Sequence, residues 1–463
     1  MEVPTARHIS EIGVTTSPSK ERQGVLATVN PLDQQTAGIR ISSLNVEQSA
    51  IRKAKFRILP LVFVIYLVAF LDRANVAYAK LTMSGDLGFS EKVYGLGAGL
   101  FFIGYLILEI PGALIVQRWG ARRWIVRILV SWGICTALVG CVRTPHQFYL
   151  ARFALGLAEA GLVPGVLVYL HEWFPSQYRA RALARFFMAS SFALAIGGPI
   201  AGLIMKLNWW GMPAWRWLFI LEGLPALVLA VISVFAMVDR PQQAKWLNTD
   251  ERDCIVQLLQ KERQQKIAYG RLSIWNTLRR ADVLLLSAVG FMSNVGIAGF
   301  FLWLPSTLRS ASSLSPSSAA ALSGIPFASA VVSVLCMSYS SDRSGERRLH
   351  TAIPLILAGL IFPVTTLANL SFVGLLCWLC LSAAAIYGFG PSYWTLPSQR
   401  LADTSGAAAF GFLNLSAGLG SFVGPLVVGT LLTANFSFSV AVMFLSACFL
   451  LSGLCALLVG APR

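Results

Sequence analysis

The sequence predicts an all-α integral membrane protein with twelve transmembrane helices in two six-helix halves. Its 463 residues are 56% hydrophobic and 13% charged, whereas soluble proteins have about 45–50% apolar and about 25% charged residues. Apolar runs of about 20 residues, each long enough to cross a bilayer as a helix, recur along the chain. A basic turn centred on glycine also occurs twice. These observations exclude a soluble enzyme, a disulfide scaffold and a disordered chain.

Twelve spans follow a polar N-terminal segment. Residues 1–55 are rich in polar side chains and predict a disordered tail. A polar stretch at 239–281, with the charged segment Thr249–Lys261, predicts a linker that is partly helical. This linker separates an N-terminal bundle at 56–238 from a C-terminal bundle at 282–463. The predicted spans are 57–79, 93–115, 124–142, 147–170, 185–206, 216–238, 282–304, 317–340, 350–369, 372–395, 407–432 and 436–460.

The basic residues predict the orientation of the chain. With the N-terminus inside the cell, 29 Lys and Arg fall on the inside and six on the outside, as the positive-inside rule requires. Both termini are therefore expected in the cytoplasm, and the protein in a plasma or inner membrane. The same rule accounts for the net charge of +16 without nucleic acid.

The two halves contain related motifs. Gln117–Arg123 after span 2 matches Asp342–Arg348 after span 8 at an offset of 225 residues. Gly198–Pro199 in span 5 matches Gly424–Pro425 in span 11 at an offset of 226 residues. Two motifs with nearly the same offset indicate duplication of a six-helix unit.

These features resemble the major facilitator superfamily, and further motifs resemble its anion:cation symporter family. The resemblance covers residues 56–460. Its motifs are, in chain order, Leu71–Asn75, Glu109–Pro111, Gly120–Trp124, Arg152–Phe153, Glu159–Gly161, Pro164–Gly165, Trp173–Pro175, Arg179–Arg181, Trp215–Phe219, Glu222–Gly223, Asp239–Pro241, Trp394, Leu396–Pro397 and Gly420–Pro425.

The resemblance implies a secondary active transporter in which a proton or sodium gradient drives a small organic anion. Carboxylates such as sugar acids, tartrate-like acids and aromatic acids are the implied substrates. We expect a functional monomer in the lipid bilayer, with no cofactor, metal or catalytic residue. One departure is Gln117, where the superfamily usually has an acidic residue that Asp342 retains in the second half.

Ionisable residues deep inside the predicted spans lie in the first half alone. A charge at the centre of a membrane helix costs about 2.5–3.5 kcal/mol, so such residues are candidates for function. The second half has no carboxylate well inside a span, and we expect a proton-carrying side chain in the first half. The candidates are Asp72, Arg73, Glu109, Arg152 and Glu159, with Glu222 nearer the end of its span.

Asp72 and Glu159 are the predicted proton-coupling residues. Burial raises the pKa of a carboxyl and a neighbouring cation lowers it, so a carboxyl between water and an arginine can change protonation. Glu159 lies seven residues after Arg152, on the same helix face and about 10 Å along the axis. A static ion pair with an arginine is the alternative for each carboxyl.

Arg73 and Arg152 are the predicted anion-binding residues. A guanidinium stays charged, and its planar fork matches the geometry of a carboxylate. Arg73 has an alternative role in neutralising Asp72 or Glu159. Arg152 has an alternative role as a lasting partner of Glu159.

Four further residues are predicted to contact the substrate. Tyr105 and Glu109 lie one turn apart beside Pro111, which can kink the helix towards a cavity. Asn75 lies in span 1, and Asn414 lies in a glycine-rich part of span 11, where it could supply the contact from the second half. Packing or helix–helix hydrogen bonds are the alternative for all four, because polar groups in lipid need partners.

The two basic turns are predicted to form a gate at the cytoplasmic end. Their arginines can bind helix C-terminal carbonyls, or acidic residues across the two halves, and so hold that end closed. Determination of topology alone is the alternative. The gating residues are Arg118, Gly120, Arg122, Arg123, Asp342, Arg343, Gly345, Arg347 and Arg348.

The sequence therefore predicts proton symport of a small organic anion into the cell by alternating access. No GxxxxGK[ST] phosphate loop is present, so ATP does not drive transport from this chain. No convergent catalytic set indicates an enzyme. The alternatives are a uniporter, an exchanger or a sodium-coupled carrier of the same fold, and a non-transporting membrane receptor.

Overall fold

The computed structural model describes residues 31–267, 278–400 and 406–459. Within those residues the chain is helical, with two short 3-10 turns and no strand. The helices are α1 (Pro31–Leu87), α2 (Glu91–Trp119), α3 (Ala121–Val139), α4 (Pro145–Glu159), α5 (Leu162–Trp173), α6 (Ser176–Ile204), α7 (Ala214–Ala236), α8 (Thr249–Ile267), α9 (Ala281–Ser310), α10 (Pro316–Leu322), α11 (Gly324–Ser344), α12 (Arg348–Ile361), α13 (Val364–Leu367), α14 (Phe372–Gly388), α15 (Gly390–Arg400), α16 (Gly406–Thr433) and α17 (Phe438–Leu458).

The helices confirm the predicted all-α membrane architecture. Eleven helical stretches among the described residues are long and apolar enough to cross a membrane. The remaining predicted span, at 124–142, is helical as α3, but Arg122, Arg123 and Arg127 near its start interrupt the apolar run. Many large apolar side chains face outwards, Phe235 at 82% exposure among them, as lipid contact requires.

The first helix begins well before the predicted first span. Residues 31–55, which the sequence assigns to a disordered tail, continue α1, and residues 1–30 lie outside the described part. Ala50 and Ala54 are fully buried, because this part of α1 packs against α8. Lys53 Nζ lies 2.7 Å from Glu251 Oε1 of α8. A search for apolar runs does not find this N-terminal extension of α1, because polar pairs between helices stabilise it.

The linker helix α8 is attached to the first half. Burial alone would raise the pKa of the Glu251 carboxyl, but hydrogen bonds from Lys53 and Ser49 hold that pKa below its ordinary value. A second ion pair joins α6 to α8, with Arg179 Nη1 2.9 Å from Glu262 Oε1. The predicted helix in the linker is thus present and bound to α1 and α6.

The described helices form two groups that meet along a few seams. Helices α1–α7 pack among themselves, and so do α9–α17. The groups meet where α2 packs on α16, where α6 packs on α10 and α11, and where α1 packs on α9. Gly198 of the first Gly-Pro motif lies against the Ala320 carbonyl, where a Cβ would collide. Small residues therefore allow the halves to approach closely at these seams.

Several predicted spans are divided in the structure. The span at 147–170 becomes α4 and α5, the span at 317–340 becomes α10 and α11, and the span at 372–395 becomes α14 and α15. Gly161, at the first break, has φ 82°, a left-handed conformation that glycine adopts without steric cost. Hydropathy is insensitive to such breaks because the residues remain apolar.

Candidate functional site

A buried ion pair joins α1 and α4. Arg73 Nη2 lies 2.6 Å from Glu159 Oε1, and Arg73 Nε donates to the same oxygen at 2.8 Å. The Glu159 side chain is fully buried and that of Arg73 is 17% exposed. Glu159 Oε2 has no hydrogen-bond partner within the described residues. Arg73 is therefore neutralised by Glu159 through one oxygen, while the second oxygen stays open.

The helix break directly after Glu159 is stabilised by α3. A break leaves backbone carbonyls without helical partners. Arg127 Nη1 donates to Ala158 O at 3.3 Å, and Trp124 Nε1 donates to Gly161 O at 3.2 Å. Trp124 lies in the first turn of α3, directly after the first basic turn. The position of Glu159 is therefore linked to that turn through α3, which sequence reasoning missed because Trp124 and Arg127 are distant in the chain.

Aromatic rings contact both guanidinium groups. Arg73 Cζ lies 4.9 Å from the Tyr105 ring centroid, 5.1 Å from that of Phe70 and 5.6 Å from that of Phe101. Arg152 Cζ lies 4.9 Å from the Phe101 centroid. Tyr105 thus lies beside Arg73, and its predicted contact with substrate stays a prediction. Its contact to Arg73 is made by the ring face, a cation–π interaction of about 0.5–2 kcal/mol.

Arg152 is a buried cation with free hydrogen-bond donors. It is 2% exposed, yet its Nε and Nη1 have no partner within the described residues. The sequence left open a lasting pair of Arg152 with Glu159, but the ion pair of Glu159 is with Arg73 on α1. A buried charge without partners costs free energy that a bound anion would offset. Arg152 is therefore the better prepared of the two arginines to receive an anion.

Asp72 lies in a second buried polar group. It is 1% exposed, Asn75 Nδ2 donates to its Oδ1 at 3.4 Å, and its Oδ2 has no partner among the described residues. Trp132 and Thr136 of α3 lie next to the Asp72 carboxyl, and Glu222 of α7 lies close by. Sequence reasoning listed Glu222 as a candidate without a specific role. It did not identify Trp132 and Thr136, because neither side chain is charged.

Glu109 and Asn414 connect the two halves. Asn414 Nδ2 of α16 donates a hydrogen bond to Glu109 Oε1 of α2. The sequence predicted a substrate contact for each residue separately, and the structure brings them together. Glu109 is 9% exposed, so this bond lies at the buried seam between α2 and α16. Asn414 is the residue through which the second half reaches the polar group of the first.

Contacts between the halves close the end of the bundle where α1 joins α2. We call it the opposite end, since it lies opposite the two basic turns. Lys80 Nζ lies 2.7 Å from Glu91 Oε2, and Trp303 Nε1 of α9 donates to the same oxygen at 3.0 Å. Tyr94 OH donates to the Leu302 carbonyl at 3.2 Å. The Lys80 ammonium also lies 4.5 Å from the Trp303 ring centroid. These charged and aromatic contacts hold α1 and α2 against α9.

The other end, here called the basic end, contains the two glycine turns. Gly120 has φ 85° and Gly345 has φ 69°, so the repeated glycines occupy left-handed backbone positions that favour glycine. In the first turn, the Arg122 N–H donates to Asp239 Oδ1 at 2.8 Å. Asp239 follows α7 in the same half. The carboxylate that binds the first turn therefore comes from the segment after α7 and not from the turn itself.

The second basic turn is held by its own carboxylates. Arg347 Nη2 lies 2.6 Å from Asp342 Oδ1. Glu346 accepts the Leu349 N–H at 2.8 Å. Burial alone would raise the pKa of the Glu346 carboxyl, but hydrogen bonds from the Leu349 N–H and from His350 hold that pKa below its ordinary value. The second turn is therefore complete within α11, α12 and their connection.

The predicted contact of the basic turns across the halves is not formed in this conformation. The pairs described above stay within one half. In the described part of the chain, side-chain hydrogen bonds and ion pairs are absent at Arg118, Arg122, Arg123, Arg343 and Arg348. The halves are thus joined at the opposite end and through Glu109–Asn414, while the side chains of these five arginines remain available at the basic end.

The assembled site contains positive and negative side chains that can exchange ion-pair partners. Two guanidinium groups and several carboxyls are buried together, and one of the guanidinium groups already has a carboxylate partner. A search of the described residues finds no cluster of three His, Cys, Asp or Glu that could hold a metal ion. The arrangement suits binding of an anion and movement of protons among carboxyls.

Comparisons with known proteins agree with this architecture. Residues 62–425 match the model of the Major Facilitator Superfamily. A protein of Agrobacterium vitis named "Putative tartrate transporter" is 36% identical over 417 residues, which cover 89% of this chain and 92% of that protein. A "Quinolone resistance transporter" of Acinetobacter baumannii is 34% identical over 413 residues, which cover 87% of this chain and 93% of that protein.

A solved structure shows the same fold. The inward-open xylose transporter XylE from E. coli superposes with a TM-score of 0.71 at 14% identity, over 87% of this chain and 95% of that one. At this identity the similarity concerns the fold alone.

Proposed function

The chain belongs to the Major Facilitator Superfamily, and we propose that it imports a small organic carboxylate together with protons by alternating access. Membership makes it a multi-pass membrane transporter of small molecules and not an enzyme. The residues that we assign to coupling and binding are those of the buried polar groups in the first half. We also propose that both termini are cytoplasmic, as the distribution of Lys and Arg predicts.

The observation that supports this function best is the contrast between two arginines, of which one is paired with a carboxylate and the other is buried with free hydrogen-bond donors. Arg73 is held by Glu159 through two nitrogen atoms. Arg152 is buried with two free donors. A carboxylate substrate would provide the negative charge that Arg152 lacks, since charge-assisted bonds to carboxylate are strong and specific for a guanidinium.

Protonation of Glu159 is the proposed coupling step. While Glu159 is ionised, it occupies Arg73, and a substrate carboxylate competes with it for the same guanidinium. When Glu159 takes a proton, its attraction to Arg73 falls and the guanidinium becomes available to the substrate. Binding of the anion and binding of the proton therefore favour each other, and by linkage this coupling is reciprocal.

Asp72 is the second proposed proton carrier. Its buried position beside Asn75, with one oxygen unpartnered, disfavours a permanent charge. Arg152 lies within electrostatic reach of Asp72. Release of the anion from Arg152 would leave that cation to attract the ionised Asp72, so proton release and anion release become linked.

The remaining assigned residues shape and gate the cavity. Tyr105 presents its ring to Arg73, which suits an organic anion with an apolar body. Glu109 and Asn414 contribute the contact between the halves. We propose that the opposite end opens when the Lys80–Glu91–Trp303 contact separates, and that the nine gating residues of the two basic turns then come together at the basic end.

The relatives suggest which carboxylates to test. One is named for tartrate, a small dicarboxylate, and another for resistance to quinolones, which are aromatic carboxylic acids. Both names are consistent with a site that combines arginines with aromatic rings. The substrate panel therefore includes hydroxy acids, sugar acids and aromatic acids.

An exchanger is the second candidate function. The Arg73–Glu159 pair supports it, because a second anion could replace the substrate at Arg73 without any change in the protonation of Glu159. Exchange requires an anion on both sides of the membrane, whereas symport requires a proton gradient.

The test uses purified protein in proteoliposomes with a pH-sensitive dye trapped inside. Each carboxylate of the panel is added outside, and protein-free liposomes report passive entry of the protonated acid. Symport predicts protein-dependent acidification with at least one acid and its loss in Asp72→Asn. Labelled uptake of that acid without a pH change would contradict proton coupling and favour exchange.

A further inference from the structure

We propose that α1 and α6 together bind one anionic phospholipid at the basic end, with its phosphate on Arg52, Lys55, Arg181 and Arg185. This α1–α6 site lies apart from the residues assigned to coupling, substrate binding and gating, and it requires no particular substrate. Its place in the cytoplasmic leaflet depends on the proposed orientation of the chain.

The two helices contact each other along the side where the site lies. The Lys55 ammonium of α1 lies 5.0 Å from the Tyr178 ring centroid of α6. Deeper in the membrane, the ring centroids of Phe63 and Phe192 lie 6.2 Å apart. Both helices begin at the basic end, because α1 ends at the opposite end and α6 follows the return of the chain through α4 and α5. Cations at the two helix starts are therefore neighbours.

One exposed face of α6 changes from cationic to apolar along its length. Positions three, four or seven residues apart share a helix face, and here they are Arg181, Arg185, Met188, Phe192, Ile196 and Leu203, all exposed. Arg185 precedes Leu203 by about 27 Å along the axis, close to the hydrocarbon thickness of about 30 Å. The two arginines thus lie at headgroup depth, above side chains at the depth of acyl chains.

The adjoining face of α1 has the same profile. Arg52 is exposed, Phe56 one turn later is 77% exposed, and Val64 two turns further is 41% exposed. A phospholipid presents its charged phosphate above apolar chains. Basic pockets between membrane helices on the cytoplasmic side bind such anionic headgroups. The α1–α6 site therefore matches a lipid in the order of both its charged and its apolar parts.

The four cations of the site lack carboxylate partners. Across the described residues, the side chains of Arg52, Lys55, Arg181 and Arg185 form no ion pair and no hydrogen bond. Arg181 and Arg185 also lie within electrostatic reach of Lys55. Like charges close together repel one another, and a bound phosphate would offset this repulsion.

Neighbouring cations on the same two helices are satisfied in another way. Lys53 Nζ lies 2.7 Å from Glu251 Oε1, and Arg179 Nη1 lies 2.9 Å from Glu262 Oε1, both on α8. The carboxylate of Glu47 accepts hydrogen bonds from Gln177 and Tyr178. Orientation by positive charge alone requires basic residues at this end. It does not require that four unpaired cations gather where two helices meet above an apolar surface.

The experiment measures lipid binding without transport. Full-length protein in detergent is titrated with phosphatidylglycerol or phosphatidylcholine, and the bound lipid is counted by native mass spectrometry. Arg181→Gln with Arg185→Gln removes two cations of the site, and Arg181→Lys with Arg185→Lys keeps their charge. Lys245→Gln with Lys261→Gln removes the same charge from exposed positions between the halves and is the matched control.

The neutral double variant should bind phosphatidylglycerol about tenfold to thirtyfold more weakly than wild type, as loss of two basic residues beside an anionic headgroup predicts. The lysine double variant and the matched control should stay within about threefold of wild type, and binding of phosphatidylcholine should not change. Arg52→Gln tests the site from α1 and should weaken binding about threefold to tenfold. This exposed position also keeps the test decisive if the double variant fails to fold.

Equal losses in the neutral double variant and the matched control would overturn the lipid site, because overall charge would then explain the binding. Equal affinity of wild type for the two lipids would overturn it as well. Soluble glycerol phosphate should not displace the lipid at millimolar concentration, and displacement would indicate an anion site that does not use the apolar surface. None of these results depends on uptake of a carboxylate, so the lipid site and the proposed symport fail or stand separately.

Discussion

The two halves share a fold but differ in where they place charge. In the first half, Asp72, Glu109, Arg152, Glu159 and Glu222 are buried. In the described residues of the second half, 281–400 and 406–459, the buried polar side chains are serines and threonines without charge. The two bundles therefore differ in where they bury charge. We infer that the first half couples and binds, and that the second half mainly forms the opposing wall.

The basic turns show the reverse asymmetry. The second turn supplies its own carboxylates through Asp342 and Glu346. The first turn has Gln117 and Ala121 at the matching positions and takes its carboxylate from Asp239. The first turn is therefore joined to the end of α7, so a movement of α7 reaches it directly.

The variant with the largest expected effect, Arg152→Lys, tests whether the first half binds the anion. Arg152→Lys replaces a planar guanidinium with a point charge. It should raise the substrate concentration that gives half-maximal uptake about tenfold to a hundredfold, since hydrogen bonds to charged groups contribute about 1.5–3 kcal/mol. The measurement is concentration-dependent uptake under a fixed proton gradient. Arg143→Lys, at an exposed position, is the matched control. A half-saturating concentration within twofold of that of the wild type would contradict the assignment of Arg152 to the binding site.

A smaller effect tests the contribution of the second half. Asn414→Ala removes the hydrogen bond to Glu109 and should weaken uptake about twofold to tenfold, as loss of one bond of about 0.5–1.5 kcal/mol predicts. Ser416→Ala is the control on the same helix, because Ser416 bonds only its own helix carbonyl at Phe412. An effect as large as that of Arg152→Lys would contradict the division of roles between the halves.

The contact at the opposite end should respond about as strongly as the Glu109–Asn414 contact, since one hydrogen bond is lost in each case. Trp303→Phe keeps the ring but removes the N–H bond to Glu91, and should shift the population towards opening at that end about twofold to tenfold. Spin labels at Lys92 and Phe436, exposed positions in different halves, report the distance distribution. Trp217→Phe, whose N–H bonds within the first half, should leave that distribution unchanged. If Trp217→Phe lengthened the distance between the labels and Trp303→Phe did not, the proposed gate would be contradicted.

The smallest effect concerns the second basic turn. The pKa of Glu346 is held below its ordinary value, so this carboxylate stabilises the fold above its unfolded pKa and loses that effect as pH falls through its folded pKa. Glu346→Gln should therefore lower the melting temperature by about 1–3 °C near neutral pH and match wild type in acid. A difference that persists in acid would indicate a role other than charge. Asp253→Asn, at an exposed position on α8, is the control.

Much of the fold could be predicted because hydropathy encodes membrane burial. The predicted spans correspond to helices, and the repeated glycines at 120 and 345 do form left-handed turns. The extension of α1 could not be found in this way, because Lys53–Glu251 stabilises it and its partner lies far away in the chain. The break at Gly161 was also hidden, because apolar residues continue on both sides.

The residues of the candidate site could be predicted by type, but their pairings stayed open. The cost of burying charge selects Arg73, Arg152 and Glu159 from sequence alone. The sequence offered two partners for Glu159, Arg152 by spacing along one helix and Arg73 as an alternative, and the structure pairs Glu159 with Arg73. Contacts between helices depend on rotation and packing, which a single sequence does not specify.

The most direct test of the coupling mechanism is transport by Glu159→Gln. Glutamine resembles a permanently protonated glutamate, so Arg73 should stay available to the anion while the proton step is lost. In proteoliposomes, we predict that the variant loses accumulation of labelled carboxylate driven by a pH gradient but retains exchange of labelled for unlabelled anion. Accumulation equal to that of wild type would contradict the proposal that Glu159 couples proton and anion.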